Sequence, residues 1–293
     1  MSPYKLRASL FRVDALVYSR AMLRPLLFNI AALASLAPAA LIHLRHGGQA
    51  LDDRRPDGVF WAVLAVALAG STSWAFSLLG VGWHTGFSIA LWVSIAASLA
   101  LFMGLSLVTR TGWRLTPLLL PYLLLLGIIA TIWTQAPEQP LAGRPGADWL
   151  GVHILISVLT YGLLTIAAVA GLAVVLQEGA IKAKRPTRLT RILPSVADGE
   201  SLQIRLLIAG EIVLGIDLIT GVAAQYASQG TFLSLDHKTL LSLLAFAVIA
   251  LLLLAHWRTG IRGRSIARYL LVAYLLLSLA YPGVKFVTDV LMS

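Results

Sequence analysis

The sequence predicts an all-α fold, a polytopic membrane helix bundle with about eight transmembrane helices. Three observations predict it. First, 58% of the 293 residues are hydrophobic and 12% are charged, with a mean hydropathy of +0.84, whereas a soluble domain runs at about 45–50% apolar and about 25% charged. Second, the apolar excess gathers in long runs, and a run of about 20 residues is what one helix needs to cross the hydrocarbon core. Third, the runs are apolar all round and lack the every-other-residue alternation of a membrane β-barrel.

In order along the chain, the spans are 25–44, 59–81, 87–109, 114–134, 150–177, 204–225, 237–257 and 267–290. They fall into a four-helix N-terminal half (25–134) and a four-helix core (150–290). The connectors hold the polar and turn-forming residues, such as Asp52-Asp53-Arg54-Arg55-Pro56-Asp57-Gly58 and Pro137-Glu138-Gln139-Pro140. Residues 1–24 form a basic tail with Lys5, Arg7, Arg12, Arg20 and Arg24 against Asp14. This tail is read as an interfacial amphipathic helix, with Leu10, Phe11, Val13, Leu16 and Val17 on its apolar side, or as an over-called start ahead of Met22. No cleavable signal peptide is expected, because the first apolar run starts late and lacks a small-residue cleavage pattern.

The formal net charge is +10, and it is not spread evenly. The connectors after spans 1, 3, 5 and 7 hold 15 of the 23 Lys and Arg residues, while the other connectors and the C-terminus hold only Arg144, Lys238 and Lys285. The positive-inside rule then places those four basic connectors in the cytoplasm and both termini outside, with the basic tail the one feature that resists. In such a chain, basic residues orient helices and meet anionic lipid head groups, so the lipid bilayer is the expected partner and nucleic acid is not. The chain has no cysteine, which removes disulfides, thiolate metal sites and covalent haem attachment through its own CxxCH.

Polar residues inside the spans are the candidates for function. Glu211 and Asp217 lie within span 6, where a carboxylate costs about 3 kcal/mol even on the mild insertion scale. Six residues apart, they point about 120° from one another and do not form a paired-carboxylate site. Asp217 shares a stripe with Gly210, Thr220 and Gly221, suited to close packing on a neighbour or to lining a cavity. It reads as a proton or ligand site, or as a buried contact to a hydroxyl on another helix; Glu211 leans toward function. His153 opens span 5, and Ser157 and Tyr161 follow it on one helix face. His256 closes span 7 at the opposite surface. Either histidine is a candidate axial ligand for haem iron or an interfacial residue, and a span of about 30 Å keeps the two from sharing one iron. His237, in Asp236-His237-Lys238, reads as part of a helix cap. His43, His46 and His84 lack metal-ligand spacing. Lys285 and Asp289 read as a helix-face pair or as snorkelling residues. Trp83, Trp113, Trp149 and Trp257 fall near predicted interfaces, as aromatic belts do. The chain has no Gly-rich phosphate loop, GxSxG or HExxH.

The second half resembles the cytochrome c assembly superfamily. The resemblance rests on His153-Ile154-Leu155-Ile156-Ser157-Val158-Leu159-Thr160-Tyr161, Glu200-Ser201-Leu202 and Leu218-Ile219-Thr220-Gly221-Val222. It continues through Asp236-His237-Lys238, His256, Gly260-Ile261-Arg262-Gly263-Arg264 and Leu279-Ala280-Tyr281-Pro282-Gly283-Val284. It is clear over about 150–287, and order and spacing carry it rather than any one motif. It implies a haem-handling membrane protein of cytochrome c maturation, with His153 matching an outer histidine and His256 an internal one. CcmC- and CcsA-like members hold haem on a tryptophan-rich WGxxWxWD segment. Here Gln225–Asp236 stands in its place without tryptophan, and the second outer histidine expected beyond span 8 is absent. The chain is therefore similar to the HemX and YpjD branch.

The expectation is a non-enzymatic haem-binding or assembly-supporting factor of the bacterial inner membrane. His153 and His256 are its candidate haem ligands, haem its cofactor and other cytochrome c maturation membrane proteins its possible partners. The alternatives are a proton-coupled transporter using Glu211 and Asp217, though the broken-helix pair of many carriers is missing, and a regulatory or scaffold subunit docking through the basic connector Lys182–Arg205.

Overall fold

The computed structural model describes residues 26–42, 44, 56–80, 84–134, 139–140, 147–230 and 236–288. The basic tail, His43, His46, Trp83 and Asp289 lie outside the described residues, as do most of the first connector and residues 231–235. Seven helices are long and apolar enough to cross a membrane, and an eighth, Leu26–Leu41, is shorter.

The first four helices are α1 (Leu26–Leu41), α2 (Gly58–Gly80), α3 (Phe87–Val108) and α4 (Thr116–Ile132). A 3₁₀ turn over Gly112–Leu115 leads into α4, and two-residue strands β1 (His84–Thr85) and β2 (Gln139–Pro140) pair antiparallel. In α1, Asn29, Ala32, Leu36, Ala39 and Ala40 are buried while Leu27, Phe28 and Ile30 are exposed. This is a helical stripe of about 3.6-residue period turned inward, with the outward side left to lipid. Asn29 is fully buried and closes the packing of three helices. Its Oδ1 accepts from the indole N–H of Trp74 on α2 at 3.1 Å and of Trp92 on α3 at 2.7 Å. In the apolar core no water competes for these groups, so one acceptor fixes two large rings.

The second half holds α5 (Ala147–Lys182), α6 (Arg188–Ile192), α7 (Val196–Gln229), α8 (His237–Thr259) and α9 (Arg264–Ser278). A π-helical turn over Leu279–Gly283 follows α9 and runs into α10 (Val284–Phe286). Pro282 has no N–H for an i→i−4 bond, and the wider turn absorbs it. Phe286 then packs its ring 5.4 Å from Phe87 and 5.3 Å from Trp133, tying the chain's end to α3 and the end of α4.

α5 and α7 have 36 and 34 residues, about 54 and 51 Å, well beyond a hydrocarbon core of about 30 Å. They pack antiparallel along a seam of glycines. A Cβ at Gly199 would lie 2.8 Å from Val174, one at Gly210 2.7 Å from Leu164, and one at Gly221 3.1 Å from the His153 ring. These three glycines recur every eleven residues on α7, about three turns with only ~20° of drift, so they stay on one line. On α5, Gly171 faces Gln203 of α7 in the same register. Such small-residue seams let backbones approach where no hydrophobic effect drives helices together.

At the end of the bundle that carries the basic connectors, Gln177 Nε2 donates to the carbonyls of Thr190, Leu193 and Pro194 at 2.8–3.3 Å. Glu178 meets Arg264 at 3.3 Å and Lys182 at 3.8 Å. The α5–α7 connector and the α8–α9 turn are thereby held against α5.

Asn29→Leu is expected to strand two buried indole donors at about 1–3 kcal/mol each. Thermal melting of the detergent-solubilised protein checks this: the variant should melt lower than wild type, and lower than Trp74→Phe, which strands none.

Candidate functional site

The Gly221 end of the seam lies near the membrane surface opposite the basic connectors, and His153 sits there as the side chain covering the glycine. Its Nδ1 lies 3.0 Å from Asp217 Oδ1 and 3.4 Å from Thr220 Oγ1. Ser157, one turn on, donates to the same Asp217 oxygen at 2.6 Å. Asp217 is 7% exposed, so a carboxylate on α7 is matched by two groups on α5. Its stripe with Gly210, Thr220 and Gly221 packs closely on α5, and the contact to a hydroxyl exists. So does a contact to the histidine.

The geometry orients the histidine. A carboxylate beside Nδ1 favours the hydrogen on that nitrogen, and in the neutral ring Nε2 is then the nitrogen with the lone pair. Histidines that bind metals are set up in this way, with the second nitrogen donating to a carboxylate or carbonyl. The His153 side chain is 28% accessible, and Trp149, Val152, Leu155 and Ile219 around it are exposed. A basic nitrogen among apolar side chains fits the iron and the flat apolar faces of haem.

Below His153 the polar face of α5 continues at four-residue spacing through Ser157, Tyr161 and Thr165. Tyr161 is buried and belongs to a hydroxyl cluster centred on Tyr274 of α9. Tyr274 lies 2.7 Å from Tyr122 of α4, 2.9 Å from Thr165 and 3.1 Å from Tyr161. The Tyr281 ring, on the π-helical turn, packs 5.9 Å from that of Tyr161. Tyr122, Tyr274 and Tyr281 escape sequence reasoning because a tyrosine in an apolar run has the look of a belt residue; only the register of three helices brings them together.

The other predicted residues lie apart. Glu211 is on a different flank of α7: Gly215, one turn on, faces Phe246 of α8. Both Glu211 carboxyl oxygens are buried and have no hydrogen-bond partner among the described residues. Asp217 and Glu211 are thus separate sites, as their spacing predicts. His256 is at the far end of the bundle, where its Nδ1 meets the Ile261 carbonyl at 2.8 Å. It shares a pocket with Glu200 of α7, and Glu200 is 17 residues from Asp217, about 25 Å along that helix. One iron therefore does not bridge the two histidines. His237 is the first residue of α8 and is exposed, and Asp236 is the N-cap, accepting from Thr239 N at 2.8 Å.

A family model described as cytochrome C assembly protein matches residues 59–292. A protein of Azospirillum brasilense, described as an uncharacterized 28.8 kDa protein in the nifR3-like 5'region, is 52% identical over 272 residues, which is 92% of this chain and all of the relative. The inner membrane protein YpjD of Escherichia coli K12 is 26% identical over 224 residues, 76% of this chain and 78% of YpjD. Protein HemX of Brevibacillus brevis is 26% identical over 186 residues, 62% and 68% of the two chains.

Two predictions follow from this geometry. Tyr274→Phe removes the shared hydroxyl of the cluster and should lower stability by about 1 kcal/mol, read as a lower melting temperature. Asp236 is pushed up by partial burial, but hydrogen bonds from Thr239 and the charges of Lys238 and His237 outweigh this and hold it below its ordinary 3.8. Its contribution is thus complete above pH 3.8 and is lost as pH falls through the lower folded value. Asp236→Ala should cost about 1 kcal/mol at neutral pH, and the gap to wild type in melting temperature should close in acid.

Proposed function

The chain belongs to the cytochrome c assembly protein family, and from that premise we propose that it is a non-enzymatic haem-handling factor that supports cytochrome c maturation in a bacterial inner membrane. The observation behind this reading is the His153–Asp217–Ser157 chain. His153 would hold the haem through Nε2, Asp217 orients the ring, and Ser157 keeps Asp217 in place. Haem, when bound, would supply a redox-active iron, and the protein would supply a ring nitrogen and an apolar surround. Gly221 leaves room for the imidazole. His256 is a separate candidate ligand at the other end and takes no part at this site. With the basic connectors in the cytoplasm, the His153 end faces the opposite compartment and is open there to partner membrane proteins of cytochrome c maturation.

An absorption spectrum of the protein purified in mild detergent, titrated with haem before and after dithionite, tests this. Wild type should show a saturable Soret band. His153→Ala should lose or shift it, and Gly221→Leu, which displaces the ring, should do the same. Asp217→Asn should weaken haem binding by about 10–100-fold. His256→Ala and Glu211→Gln should leave the band unchanged. No band in wild type with added haem, or the same band in His153→Ala, would overturn the reading.

A further inference from the structure

At the basic end of the bundle lies an open pocket of about 350 Å³ between the start of α7, the end of α8 and the α8–α9 turn. Its polar lining is Glu200, Ser201, Gln203, Arg205, His256 and Arg262. Cations around it divide into two sets. Arg264 and Lys182 are matched by Glu178, whereas Arg205 and Arg262 have no carboxylate in ion-pair range among the described residues. Two arginines against Glu200 leave the lining one positive charge in excess. Gln203 backs the lining from the seam side, with its amide nitrogen against Gly171 of α5. Two cations without a matching carboxylate, at a polar opening, suit an anionic ligand rich in acceptor oxygens.

The turn that carries Arg262 is set firmly. Gly260 and Gly263 both adopt positive φ, 68° and 65°, which other residues rarely take, and a Cβ at Gly263 would strike the Glu178 carboxylate. Arg262 is therefore presented from a fixed backbone. Trp257, 66% exposed beside the pocket, marks the depth of the membrane–water interface, where lipid phosphates lie.

We propose that this pocket binds a phosphate ester, with Arg205 and Arg262 as the charged contacts. Glu200 offers an acceptor to an ammonium or hydroxyl on the same ligand, which a phospholipid headgroup or a soluble phosphate ester can both supply. The site is independent of the histidine at the other end of the bundle.

The test is intact-protein mass spectrometry of the full chain in mild detergent, after washing and after addition of phosphatidylethanolamine or phosphatidylglycerol, with glycerol 3-phosphate as the soluble competitor. Wild type should retain one phosphate ester per chain. Arg205→Gln/Arg262→Gln should lower the bound fraction by about tenfold or more. Arg258→Gln/Arg268→Gln, a change of exposed cations outside the pocket, should leave it unaltered. Displacement by glycerol 3-phosphate assigns the site to soluble esters, and resistance to it assigns the site to lipid. Equal retention in the two double variants, or no retained ligand in wild type, overturns the proposal. Melting temperatures show that each variant is folded.

Discussion

The glycine seam between α5 and α7 is the contact on which the remaining architecture depends. In a bilayer, apolar side chains gain little by leaving lipid for one another, so close packing has to come from fit. Gly199, Gly210 and Gly221 supply that fit, because each leaves a socket that Val174, Leu164 or His153 fills. Two helices locked in register then act as a frame. α3 joins it where Gly162 leaves room for Leu101, and α9 joins it through Arg264 at one end and Tyr274 further along. His153 is thus at once a packing knob and the one ring-nitrogen donor of the seam, and its position is set by the same register that builds the fold.

Much of this was legible in the sequence. The apolar runs announce their helices, because the bilayer leaves few other ways to satisfy a backbone. The ends of α5 and α7 are less legible: span 5 is expected at 150–177 and span 6 at 204–225, while the helices run on to Lys182 and begin at Val196. The extra turns are polar, lie beyond the hydrocarbon core and carry no hydropathy signal. His153, Ser157 and Asp217 each stand out alone, two by helical spacing and one by the cost of a buried carboxylate. Their union does not, since it depends on which helix faces which across 60 residues of chain. The same holds for Asn29, whose partners are 45 and 63 residues away. Residue chemistry alone leaves His153 between a haem ligand and an interfacial residue, and the family resemblance tips that reading toward haem.

Glu211 stands as a contrast. It has the composition of a functional residue, an acid in a membrane helix, but its surroundings offer it nothing among the described residues. Asp217, six positions on, is matched by two donors. Of two carboxylates that the sequence singles out, Glu211 leans the more toward function, yet it is Asp217 that the structure joins to other polar side chains.

The polar face of α5 has a further consequence for energetics across the bilayer. Its hydroxyls run from His153 to Thr165, twelve residues or about 18 Å. Beyond Thr165 the helix buries Ile166, Ala167, Ala170, Ala173 and Val174. The helix is thus polar toward the His153 end and apolar toward the basic end. A charge carried along α5 from the His153 end would meet its main barrier in that second stretch, where an ionised group costs about 3 kcal/mol even on the mild insertion scale.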